Sequence, residues 1–291
     1  MKHFLLAFAL LPFATHAQQP EPVTQAIIYS TMTVIAPETE EDASRMPNAG
    51  DGNIRFSMRN FGDGESKITT YIKDSLVKTI FKSDMGRTTI IRNNSAHTTT
   101  TLLEMMGNNF GFIVTDEEQI KMREQMDSMI QARRDADSST RALFTSNETS
   151  RPAEIIYTDE ARKISGMDCK KALLINTGLL GIKDTVAVWY APDINIPNNQ
   201  PASGGGALRG RGGIGNFTTL NGLNQLKGLA IKYEMNMRHG RVMQMEVTKV
   251  DLKKTLSDKD FRVPKDFDVK PYSEFSKMFR GMPQMRMMPR Q

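Results

Sequence analysis

The chain has 291 residues, 39% of them hydrophobic, with 38 Lys and Arg against 33 Asp and Glu for a formal net charge of +5. That length supports one large core or two small ones, and so weak a field does not argue for nucleic acid. Cys169 is the single cysteine, which excludes an intramolecular disulfide and the small secreted scaffolds built on disulfides.

In chain order, residues 1–17 (MKHFLLAFALLPFATHA) read as a signal peptide. Lys2 supplies the positive start, and the apolar run from Phe4 to Phe13 is too short to span a bilayer. Thr15-His16-Ala17 offers small residues for cleavage before Gln18. The expected product is periplasmic or extracellular, with no transmembrane anchor, and no cysteine stands at the cut to carry a lipid. Cleavage would leave His97 and His239 as the remaining histidines.

Residues 25–35 (QAIIYSTMTVI) are rich in β-branched residues and predict a first strand; an acidic loop follows. From Asn53 to Thr115 six extended runs alternate with short turn signals: IRFSMRN, SKITTYI, LVKTIFKS, RTTIIRN, HTTTTLLEMM and FGFIVT. This spacing predicts an antiparallel meander. The period then changes. Thr115 and Glu118 form a capping box, and Met122, Met126, Met129 and Ile130 make one apolar stripe, predicting a helix over 115–134. Residues 135–152 read as an exposed linker.

Strands return at CKKALLINT, DTVAVWYAP, GLAIKYEMNM and RVMQMEVTKV. For the last pair, the hydrophobic pattern selects a three-residue Arg238-His239-Gly240 turn with Gly240 left-handed. Ile231 then opposes Val247, Tyr233 opposes Met245, Met235 opposes Met243, and Lys232 meets Glu246 on the wet face. A two-residue turn would set Tyr233 against Glu246 instead. The resulting organisation is a signal peptide at 1–17 and a single β-rich domain at 18–272. A disordered Gly-rich loop occupies 192–221, and a flexible, basic, Met-rich tail runs over 273–291.

Few motifs carry chemistry. Gly210 to Gly215 satisfies G-x-G-x-x-G, but without a preceding strand or a following helix it is a compositional accident. The spacing shows neither a zinc ligand set nor a nucleophile elbow, and Cys169 reads as a buried structural residue. Met282, Met285 and Met288 offer thioethers suited to Cu(I), but no His or Cys accompanies them, so no metal or other cofactor is expected. Tyr29, Tyr71, Phe81, Phe110, Phe112, Tyr157, Trp189 and Tyr190 lie on predicted strands. They form either an ordinary core or the lining of an apolar cavity.

The run Lys163-Ile164-Ser165-Gly166-Met167-Asp168-Cys169-Lys170-Lys171-Ala172 resembles a signature of the secreted bacterial DUF4412 family, domain of unknown function 4412. Val188-Trp189-Tyr190-Ala191-Pro192, Thr98 to Phe112, Leu226-Lys227-Gly228-Leu229-Ala230 and Phe261-Arg262-Val263-Pro264 are similar to it too. The resemblance implies a relation to the lipoprotein carriers LolA and LolB. It also implies a curved antiparallel sheet, an incomplete barrel, wrapped on helices around an apolar concavity.

The expected fold is therefore α+β, mostly β, with one main helix against the sheet. The expected function is non-enzymatic binding of a lipid, acyl chain or lipoprotein by a monomer. Met122, Met126, Met129, Tyr233 and Trp189 are the candidate contacts. An envelope protein-interaction or sensing module is the alternative, and a carboxylate-dependent hydrolase the remote one.

Overall fold

The alternation that marks residues 25–35 as a strand also decides its place. β1 (Gln25–Ile35) buries Ala26, Ile28, Met32 and Val34 on one side and Ile27 on the other, so both of its faces are covered. The structure is a computed structural model. It describes residues 23–35, 64–84, 86–105, 107–122, 124, 125, 128, 153–177, 183–196, 222–237 and 240–281.

β2 (Gly64–Lys73), β3 (Leu76–Ser83), β4 (Gly86–Asn93), β5 (Thr98–Met105) and β6 (Asn108–Thr115) form an antiparallel meander beside β1. β7 (Glu154–Ile164), β8 (Met167–Thr177), β9 (Lys183–Ala191), β10 (Leu229–Asn236) and β11 (Val242–Asp251) form a second meander, and β11 pairs with the other side of β1. β12 (Asp268–Pro271) adds to β6 in parallel. The strand order is β12-β6-β5-β4-β3-β2-β1-β11-β10-β9-β8-β7, an open sheet with two edges. The predicted first meander is confirmed in order and sense, apart from residues 54–60, which lie outside the described residues.

The predicted hairpin register also holds. Tyr233 opposes Met245, Met235 opposes Met243, and Lys232 opposes Glu246. Met237 N donates to Arg241 O at 2.7 Å around a three-residue turn in which Gly240 has φ +69°. Residues 116–122 are helical, as are 124, 125 and 128; this element is α1. Its capping box is present: Glu118 N donates to Thr115 Oγ1 at 3.1 Å, and Thr115 N donates to the Glu118 carboxylate at 2.9 Å. Thr115 and Ala153 lie next to opposite flanks of the sheet. Between β6 and β7 there are ten strand spacings, roughly 48 Å if the sheet were flat.

The sheet has an inner and an outer face. After β11 the chain crosses the outer face, where Leu256 and Phe261 pack on Ile27. Asp258 pairs with Lys73 at 2.6 Å, and Lys78 Nζ donates to Asp260 O at 2.8 Å. The chain then adds β12 beyond β6 and turns onto the inner face as α2 (Tyr272–Gly281). There Phe275 packs 4.7 Å from Phe112 between ring centroids, and Tyr272 lies 5.3 Å from the same ring. Residues 252–281 thus clasp one flank from both sides.

Four expectations are corrected. The tail was expected to be flexible from 273, but residues 273–281 belong to α2, held by the apolar contact of Phe275; residues 282–291 lie outside the described residues. The Gly-rich loop was expected to begin at 192, yet Ile196 is buried and Val23 N donates to Asn195 O at 2.8 Å. The single main helix gives way to two described helical segments. Strand β12 was not foreseen, and of β7 only the strand position of Tyr157 was. β7 is mostly exposed and rich in charge, and β12 has only four residues, so neither shows an apolar alternation.

Phe275→Ala should destabilise the fold by about 3 kcal/mol, the usual cost of emptying a buried aromatic site. Urea denaturation should show the lower midpoint, and Phe275→Leu should recover much of the loss.

Candidate functional site

Cross-strand register assembles an apolar inner face from separate parts of the sequence. Met32 opposes Met245, Val34 opposes Met243, and Met235 opposes Met243 from the other side. Tyr233 lies between Met245 on β11 and Val188 on β9. Paired residues share a face, so these methionines and Tyr233 form one block over β10, β11 and β1. Met32 and Met243 are buried, at 2% and 3% exposure; Met235, Met237 and Met245 are half-buried against the same cluster. Leu174, Val186 and Val188 continue it onto β8 and β9. Burial pushes the Tyr233 phenol up to about 12, so it stays neutral near neutral pH.

The expected contacts separate. Trp189 opposes Lys232 and Lys171, whereas its neighbour Val188 opposes Tyr233. Trp189 points away from Val188 and packs, half-buried, against a second cluster that holds Ile28, Ile231 and Val247, with the Arg162 guanidinium 3.9 Å from its ring centroid. Trp189 and Tyr233 thus belong to different clusters. Met122 is half-buried on α1; Met126, Met129, Met282, Met285 and Met288 lie outside the described residues. The inner-face residues missed as candidates are Met32, Met235, Met243 and Met245. The predicted hairpin register already paired the last three with β10 or β11 partners, whereas Met32 is signalled only by the pairing of β1 with β11, which joins segments more than two hundred residues apart.

Two structured ends bound this face. Near β7, Tyr157 meets Tyr190 edge-on at 5.5 Å, and Lys227 N donates to the Tyr157 hydroxyl at 3.1 Å. The chain reaches this point through Gly228. Its φ is +147°, and a Cβ there would lie 2.3 Å from Ala191 O. Near β5, Arg92 grips the Asp116 carboxylate with both terminal nitrogens, and His97 Nδ1 lies 3.2 Å from the same group. The Arg92 guanidinium holds the Asp116 carboxyl below its ordinary value. This ties the start of α1 to the β4–β5 turn.

Little else suggests reaction chemistry. Glu246, Asp251, Asp258 and Asp260, like Asp116, are displaced downward, by a Lys hydrogen bond, backbone donors or both. Burial pushes the Cys169 thiol up. Among the described residues, no three His, Cys, Asp or Glu side chains gather where they could hold a metal. No described helix is long and apolar enough to cross a membrane.

No family model matches the chain, so the DUF4412 resemblance rests on its motifs alone. No curated protein matches either. Among solved structures, PNGF-II is similar at 15% identity and a TM-score of 0.37, covering 88% of this chain. The chain spans only 33% of that protein's length. A LolA superfamily protein from Nitrosomonas europaea, NE2245, is similar at 9% identity and a TM-score of 0.31, covering 84% of this chain and 93% of its own. At such identities and scores, neither likeness bears on function.

The motifs behind the resemblance fall on places that build the fold. Lys163 to Ala172 is the β7–β8 hairpin, turned at Ser165 and Gly166 with both φ positive. Gly228 is the close approach just described, and Phe261 is the outer-face plug. A carboxyl whose pKa is depressed on folding stabilises the folded state above its unfolded pKa, and that contribution is lost as pH falls through the folded pKa. Asp116→Asn should therefore flatten the acid limb of stability below about pH 4. Urea midpoints across the acid range would show it.

Proposed function

We propose that this is a non-enzymatic binding protein of the cell envelope whose inner sheet face receives an acyl chain, either free or attached to a lipoprotein. The observation that carries this reading is the inner-face block in which Met32–Met245 and Met235–Met243 oppose each other around Tyr233. Methionine side chains are unbranched and polarisable, so they repack around chains of differing shape better than Leu or Val do. Acyl chains offer no directional hydrogen bonds, and an adaptable apolar surface suits them. The open sheet supports the reading too, because a face covered by separate segments can be uncovered without breaking strand pairs.

Catalysis has no part in this reading. A carboxylic general acid needs its pKa raised, and every described carboxyl with a displaced value moves the other way. Export through residues 1–17 and a soluble, monomeric product belong to the same proposal. Both sheet edges are protected against adding a partner strand. β7 carries Asp159, Glu160, Arg162 and Lys163 around a bulge, and β12 is short and ends at Pro271.

Native mass spectrometry of the protein purified from its own envelope should find it carrying an apolar adduct. Replacing Met235 and Met245 together by Gln should lower uptake of a fluorescent fatty acid by about tenfold, since each amide must be desolvated. Recovery of bare polypeptide only, with no uptake in vitro, would refute the proposal.

A further inference from the structure

Away from the methionines, the inner face changes chemistry. On β2 to β5 it carries hydroxyls: Thr70 opposes Thr79, Thr79 opposes Ile90, and Ile90 opposes Thr101. These threonines are 7%, 0% and 3% exposed. The Thr70 and Thr79 hydroxyls lie 3.3 Å apart and satisfy each other. The Thr99 hydroxyl accepts from Arg92 at 3.2 Å and from Gln119 at 3.4 Å. Thr101 Oγ1 has no hydrogen-bond partner among the described residues.

A buried hydroxyl without a partner is unfavourable and uncommon, and Val would fill the same strand position with the same shape. Asn176 Oδ1 is the other buried side-chain atom without a partner among the described residues. It stands two residues after Leu174 on β8, which places it on the inner face as well. Both orphaned atoms thus belong to the face assigned to the acyl chain. Thr101 lies in the row of Ile28, four strands and roughly 19 Å across the sheet from β1. A long acyl chain reaches that far.

We propose that the Thr101 hydroxyl donates a hydrogen bond to the ester or amide carbonyl of an amphipathic acyl ligand whose hydrocarbon lies across the methionine block. This rests on the acyl-binding reading above and narrows it: the ligand is an acylglycerol or acyl amide, not a plain hydrocarbon. Thr101 is 3% exposed in this conformation, so a ligand carbonyl reaches it only by displacing the side chains packed over it.

The probes are monopalmitoylglycerol and hexadecane, each competing against a bound fluorescent fatty acid. Thr101→Val should weaken monopalmitoylglycerol roughly three- to tenfold, the worth of one hydrogen bond, and leave hexadecane unchanged. Thr101→Ser should bind monopalmitoylglycerol nearly as wild type does. The thermal midpoint of Thr101→Val should equal or exceed that of wild type, which separates lost recognition from lost fold. If wild type takes up both probes and Thr101→Val weakens neither, or both equally, this inference falls while acyl binding stands. Wild type that takes up neither sinks both.

Discussion

The double pairing of β1 is the constraint on which the rest of the structure depends. Its eleven residues hydrogen-bond β2 on one side and β11 on the other, and so join the two meanders into one sheet. Without β1 each meander would present a long unpaired edge. The Ile27–Asp251 contact closes most of the chain, so the sheet cannot be completed until its late strands exist. Such non-local pairing is slow to form.

That pairing also creates the two faces. A register shift between Tyr29 and Ser30 leaves one extra residue on β11, yet Met32 still opposes Met245 on the inner side. Outside, Ile27 is sealed by Leu256 and Phe261 from the strap after β11. The same strap delivers β12 and α2 to the far flank, where Phe275 reaches the inner face. One stretch of chain therefore closes the outer face and anchors a helix on the inner one.

The inner face has two chemical halves. Over β8 to β1 it is methionine, leucine, valine and the two tyrosines Tyr190 and Tyr233; over β2 to β5 threonines stand among isoleucine and phenylalanine. The Arg92–Asp116 pair marks the end of the second half and fixes where α1 leaves the sheet. The proposed acyl ligand would set its polar linkage on the second half and its hydrocarbon toward the first.

Local chemistry made much of this legible in advance. Turn residues and alternation located ten of the described strands, the Thr115–Glu118 box set the start of α1, and the pattern on both sides of Gly240 selected the β10–β11 register. Elements whose stability comes from distant partners left no such mark. β7 is a charged edge strand stabilised by β8; β12 is a short strand added to β6; α2 depends on Phe275 meeting Phe112. Trp189 and Tyr233 looked equally apolar in sequence, and only tertiary structure put them in different clusters. The sequence by itself determined where strands turn and which hairpins pair, because those choices involve neighbours. Tertiary structure alone decided that Met32 meets Met245, because β1 pairs with a strand more than two hundred residues away, and that Thr101 is left without a partner among the described residues.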